Sequence, residues 1–145
     1  MAQQPTPSDV AITSLPRWAS GIWNDSALQS RFDLFLALNP FIVSGDFDGD
    51  NRLDVAIAVR ARSSGKRGII VLSRARPPIV LGAGTAFGNG GDDFFWLDAW
   101  QTEELGADRP PAARSRFAIY VEKMESASAW IYWDGRQFRW HQLGD

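Results

Sequence analysis

At 145 residues, 45% hydrophobic and 22% charged, the chain has the composition of one ordinary globular domain, long enough to bury a core without disulfide staples. Its net charge is −2, and its thirteen arginines and two lysines are scattered, so no electropositive stripe offers itself to nucleic acid. No apolar run approaches the roughly 20 residues of a membrane-spanning helix, and the absence of cysteine excludes thiolate metal sites and cysteine nucleophiles.

The opening, MAQQPTPSDV, is polar, proline-bearing and without periodicity, which predicts a flexible segment over residues 1–14 ahead of one domain over 15–145. It is also how a secreted protein begins once an initiator methionine has replaced its signal peptide, which points to the periplasm or the cell exterior. From Leu15 to Leu36, Trp18, Ile22, Trp23, Leu28, Phe32, Phe35 and Leu36 recur mostly at three- and four-residue intervals. That period predicts a helix over about 26–36, capped by Asp25 or Ser26 and stopped by the Asn39-Pro40 step. The texture then changes. FIVSGDF, LDVAIAVR and IIVLSR are β-branched and alternating, with RSSGKRG as a loop, and they read as an antiparallel meander. Val55, Ile57 and Val59 share one face, and PPIVLG adds a short edge strand. GAGTAFGNGGDD and GADRPPAARS read as loops, whereas FFWLDAW is too short to assign.

RFAIYVEK and SASAWIYW alternate again, and Asp134-Gly135 before RQFRWHQ is a hairpin signal. A two-residue turn there would set Trp133 against Arg136, Ile131 against Phe138 and Ala129 against Trp140 on the core side. Trp130 and Tyr132, with Arg139, would then lie on the other side as an aromatic patch for a partner. The expected fold is α+β and β-rich, an antiparallel meander of hairpins with an N-terminal helix. The acidic motif described next occurs once, so a full propeller is not expected.

The densest chemistry is GDFDGDNRLD, which places Asp46, Asp48, Asp50 and Asp54 within nine positions and no lysine among them. Two carboxylates 4 Å apart repel by about 4 kcal/mol at an effective dielectric near 20. A hard cation with six to eight oxygen ligands relieves that repulsion, and Ca²⁺ accepts carboxylates and backbone carbonyls in flexible geometry. Counting from Asp46, oxygens fall at positions 1, 3, 5 and 9 from the four aspartates, and the Arg52 carbonyl falls at position 7. Gly49 permits the tight wrap, and Asn51 suits a left-handed position. An EF-hand is excluded, because Asn51 stands where glycine is required, Ile57 where glutamate is required, and a strand follows.

Residues 41–60 instead resemble the calcium loops of FG-GAP and VCBS-type repeats, as in integrin α-subunit propellers, where an aspartate-rich nonapeptide joins two antiparallel strands. That resemblance implies Ca²⁺ held by Asp46, Asp48, Asp50, Asp54 and the Arg52 carbonyl. The upstream FG and GAP landmarks of those repeats are out of register here. The loop also resembles that of small periplasmic inhibitor or immunity proteins directed against cell-wall hydrolases, which implies a non-catalytic protein with a protein partner.

Other constellations are weaker. His141 has no second histidine to pair with, and Gly82, Gly84 and Gly88 miss the dinucleotide spacing. Asp92, Asp93, Asp98, Glu103 and Glu104 offer carboxylates from which a glycoside hydrolase pair would be drawn. The alternatives to an inhibitor are therefore a glycan-binding module using exposed aromatics and a carboxylate-dependent hydrolase.

Overall fold

The structure is a computed structural model that describes residue 4 and residues 6–144. Two open antiparallel sheets pack face to face. In the first, β1 (Phe32–Leu34), β3 (Asp54–Ala61), β4 (Arg67–Leu72) and β5 (Ile79–Gly82) run in that spatial order, and β2 (Ile42–Gly45) lies beside the other half of β3. The second is a plain meander of β6 (Ala99–Glu104), β7 (Phe117–Lys123), β8 (Ala127–Trp133) and β9 (Phe138–Gly144). Helices α1 (Pro7–Ala11), α2 (Arg17–Asp25) and α3 (Leu28–Arg31) precede them. The β-rich α+β expectation holds, and the sheets do not close into a barrel. Among the described residues no helix is long and apolar enough to cross a membrane.

Burial on both faces explains the first sheet's composition. Val55, Ile57 and Val59 of β3, with Ile70 and Leu72 of β4, face a helical layer that contributes Ile12, Leu15, Ala19 and Trp23. Each such aliphatic side chain contributes about 1.5–3 kcal/mol when fully buried. The intervening Ala56, Ala58, Ile69 and Val71 face the second sheet, whose inner side carries Trp100, Ile119, Val121, Ile131, Trp133 and Phe138. Alanines on β3 leave room for those tryptophans.

One N-terminal expectation is corrected, and the span ahead of it carries a short helix. Within the span expected to be flexible, Thr6 Oγ1 accepts from the Asp9 N–H and Asp9 Oδ2 accepts from the Thr6 N–H, a capping box that starts α1. Ile12 then seats on the sheet. Residues 1–3 and 5 of that expectation lie outside the described residues. The helix expected over 26–36 is displaced: α2 ends at Asp25, α3 is one turn, and Phe32–Leu34 is a strand. Phe32, Asp33 and Leu34 pair with Ala61, Arg60 and Val59. Phe32 and Leu34 are buried while Asp33 between them is not, a two-residue period that β3 rewards over the helical one.

The turn at Asp134 also differs. Trp133 pairs with Phe138 and Ile131 with Trp140, so four residues, not two, close the β8–β9 hairpin. Asp134 Oδ1 accepts from the N–H groups of Arg136 and Gln137 at 2.7 and 2.8 Å, and its Oδ2 pairs with Arg139. Arg139 and those N–H bonds hold the Asp134 carboxyl down to about 2. A shift of two residues conserves parity, so Ile131 and Phe138 remain on the core face as expected.

The aromatic patch expected at Trp130, Tyr132 and Arg139 is not a surface. Trp130 and Tyr132 are 5% and 8% exposed, covered by Leu105 and Ala113 of the β6–β7 connection. Trp130 stacks on His141 at 5.7 Å, and its Nε1 donates to Glu103 Oε1 at 2.9 Å. The proline-rich connection folds over this face, with Arg114 N–H donating to the Trp133 carbonyl at 2.8 Å. Arg139 is engaged with Asp134 instead.

Candidate metal centre

The acidic loop joins β2 to β3, at the end of the sandwich where Trp133 and Phe138 lie. Gly45 and Asp54 are the last paired positions, so the eight residues between them must turn the chain back. Their own carboxylates build that turn. Asp46 Oδ1 accepts from Gly49 and Asp50 N–H at 2.8 and 3.1 Å, and Asp46 Oδ2 accepts from Asn51 N–H at 2.8 Å. Asp54 Oδ2 accepts from Phe47 and Asp48 N–H at 2.8 and 3.2 Å. Gly49 (φ +78°) and Asn51 (φ +66°) take the left-handed positions. A Cβ on Gly49 would stand 2.7 Å from the Arg114 carbonyl oxygen, so the loop is also clamped against the β6–β7 connection. Ser115 Oγ adds a 2.6 Å bond to the Asp46 carbonyl.

Asp46, Asp48 and Asp50 each present a carboxylate oxygen within 4.8 Å of the other two, an arrangement able to hold a metal ion. Asp54 is not in that trio; its carboxylate closes the loop from beneath. Arg52 contributes a side chain 3.5 Å from Asp50 Oδ2 and an N–H to Asp50 Oδ1.

Arg76, which sequence reasoning missed, enters from the segment between β4 and β5. Its Nη1 is 2.7 Å from Asp48 Oδ2, and its guanidinium lies 4.4 Å over the Trp133 ring. No spacing rule links positions 28 apart; the only cue was an arginine among the loops that follow these strands. The carboxylates of Asp46, Asp48 and Asp50 against the guanidiniums of Arg52 and Arg76 leave one negative charge, and a second once Asp54 ionises.

Among the described residues two buried oxygens accept no hydrogen bond: Asp50 Oδ2, which has only the Arg52 guanidinium at 3.5 Å, and Asp54 Oδ1. Asp54 is 1% exposed, and burial, reinforced by the charges of Asp48 and Asp50, pushes its carboxyl up to about 7 against the bonds from Phe47 and Asp48. Burial raises Asp48 as well. In the metal-free chain this shift makes stability depend on pH. Asp54 binds its proton more tightly folded than unfolded, so its contribution to stability is fully present below pH ~4 and is lost as pH rises toward 7. The loss is on the order of 4 kcal/mol. The contribution of Asp134, whose carboxyl is lowered, runs the other way and is complete above pH ~4. Urea unfolding of metal-free protein between pH 4.5 and 8 should therefore show Asp54→Asn gaining on wild type as pH rises. A constant gap would mean that Asp54 is ionised throughout.

The carboxylates weighed for hydrolysis are dispersed among structural partners. Asp92 pairs with Lys66 at 2.6 Å, and Asp93 accepts from Arg67 N–H. Asp98 accepts from Met124 N–H, Glu103 from Trp130 and Glu104 from Arg116. Comparison with models of protein families, with curated proteins and with solved structures finds no match to this chain.

Proposed function

We propose that the chain is a non-catalytic, calcium-binding β-rich module that acts by docking on a protein partner in the periplasm or outside the cell, as an inhibitor or immunity-like protein toward a cell-wall hydrolase. The observation that carries the metal half is the pair of buried carboxylate oxygens that accept no hydrogen bond, in a loop whose carboxylates outnumber its guanidiniums. A buried anionic oxygen left unpaired is costly, and a divalent cation answers both the charge and the missing partners. Oxygens within 4.8 Å of one another can share an ion at the 2.3–2.6 Å typical of calcium. Asp46, Asp48 and Asp50 would hold it, with Asp54 Oδ1 and the Arg52 carbonyl as further oxygen donors. The placement of the loop between two antiparallel strands supports the resemblance to FG-GAP and VCBS-type loops.

The protein-partner half rests on the resemblance to periplasmic inhibitors, and the dispersal of the hydrolase candidates favours it over an enzyme. Extracellular calcium sites of modest affinity work at about 10⁻⁴–10⁻³ M, which suits that location. The test is an assay of a panel of peptidoglycan hydrolases with calcium present. Titrated chain should drive one of them to a stoichiometric end point, and Asp50→Asn or a chelator should weaken the inhibition. Turnover of peptidoglycan or glycosides by the chain alone would overturn the proposal.

A further inference from the structure

At the opposite end of the second sheet from the acidic loop, we propose a binding site for a small amphipathic anion: an apolar aliphatic or aromatic body carrying one carboxylate or sulfonate. The site follows from side-chain size along β8. Trp133 and Ile131 fill the space between the sheets, but the next inner-face positions are Ala129 and Ala127, and the core ends in a hollow of about 410 Å³. That is within the range of small-molecule pockets, roughly 300–1,000 Å³. Val121, Ala127 and Ala129 form its floor, and Trp96 and Trp140 stand against each other at 5.7 Å and 83° as its wall. The exposed ring of Phe95 is its lip.

The wall is preformed. The glycine-rich loop that reads from sequence only as a connection lies directly on Trp140. A Cβ on Gly88 (φ +53°) would stand 2.4 Å from the Trp140 Cβ. Trp96 Nε1 donates to the Gly90 carbonyl at 3.0 Å.

Apart from the hydroxyls of Ser126 and Ser128, the polar side chains of the wall are spent on one another or on its backbone, and this narrows the ligand class. Gln142 Oε1 accepts from Trp140 Nε1 at 2.9 Å and from Asn89 Nδ2 at 3.1 Å, while Gln142 Nε2 donates to the Ser128 carbonyl at 3.1 Å. Both indole N–H groups and the glutamine amide are thus committed to the wall. A saccharide, which needs many free directional donors and acceptors, finds few. Lys123 is the one charged residue lining the hollow and makes no ion pair among the described residues. Glu122, its neighbour on β7, accepts from Tyr120 Oη, and Glu125 sits beyond it in the β7–β8 turn. An apolar floor with a single cation at the rim suits an apolar body with a single anionic head.

The experiment uses full-length protein and 1-anilinonaphthalene-8-sulfonate as the probe. A saturable fluorescence increase with one site per chain is expected, displaced by octanoate about tenfold more effectively than by 1-octanol. Ala127→Leu should abolish the increase by filling the floor. Lys123→Gln, an exposed change that leaves the core untouched, should erase the octanoate advantage while 1-octanol competes as before. Should Ala127→Leu fail to fold, Lys123→Gln and the backbone amide shifts of Ala127, Ala129 and Gln142 on adding octanoate decide the matter. Absence of saturable binding, equal competition by octanoate and 1-octanol, or displacement by maltose in place of octanoate would overturn the proposal. Calcium occupancy of the acidic loop plays no part in these readouts.

Discussion

On the proposed reading, in which the folded loop and not the unfolded one takes calcium, the ion at about 100 times its dissociation constant is expected to stabilise the chain by roughly 2.7 kcal/mol. For a domain near this size each kcal/mol moves the melting midpoint by about 2–4 °C, so a rise of roughly 5–10 °C is expected in calorimetry. Asp50→Asn is the informative variant. It can keep the oxygen that accepts from Arg52 N–H, so the turn is preserved, yet it removes the charge and replaces the buried oxygen that accepts no hydrogen bond. The metal-free variant should melt at or slightly below the metal-free wild type, since the Arg52 N–H and guanidinium that hold the Asp50 carboxyl below its ordinary range lose a charged partner, and calcium should then raise its midpoint by less than half as much. Asp46→Ala would be a poor substitute, because Asp46 holds three N–H groups of the turn and its loss loosens the loop with or without metal. A wild-type midpoint indifferent to both calcium and chelator would remove the metal from the proposal and leave Arg76 as the loop's neutraliser.

That competition is the main lesson of the site. Crowded aspartates demand a positive charge, and their spacing was enough to locate the loop, its left-handed residues and its place between two strands. Spacing could not show that a guanidinium from beyond β4 already meets Asp48, because that contact exists only once the sheets have formed and Trp133 lies beneath Arg76. Nor could it separate Asp54 from the other three. In a linear count all four are equivalent donors, whereas in the fold Asp54 belongs to β3 and its carboxylate points under the turn to cap two N–H groups.

Strands were legible for a similar reason and helices less so. Alternation along β3, β4, β7 and β8 is strict because each face meets a different layer, and a two-residue error in the hairpin register left the faces intact. The segment from Leu28 to Leu34 satisfies both periods. Only the unpaired half of β3, present after folding, decides that Phe32–Leu34 become a strand. The outer face of the second sheet was misread because its cover is the irregular connection holding Leu105 and Ala113, which carries no periodic signal at all.

The two faces of the β8–β9 ribbon therefore make a paired prediction. Phe138→Ala is expected to destabilise by about 3–5 kcal/mol, the range for emptying a buried phenylalanine site. Phe138 is 7% exposed, packs edge-on to Trp133 at 5.0 Å, and borders the small cavity beneath Asp48 and Asp54. Its loss should therefore soften the acidic loop as well and lower calcium affinity. Trp130→Ala, on the opposite face, is expected to cost a comparable 3–5 kcal/mol, because Trp130 is 5% exposed beneath the β6–β7 connection and stacks on His141. Its effect on calcium affinity should be smaller than that of Phe138→Ala, since Trp130 borders no loop carboxylate and reaches the loop only through the β6–β7 connection. Trp130→Phe should recover much of the loss, as the ring remains and only the bond to Glu103 Oε1 is given up. Chemical denaturation of the three variants, with calcium titrated into each, separates the faces. If Trp130→Ala unfolds at the wild-type midpoint, the connection does not pack on that face, and Trp130 and Tyr132 are again available to a partner.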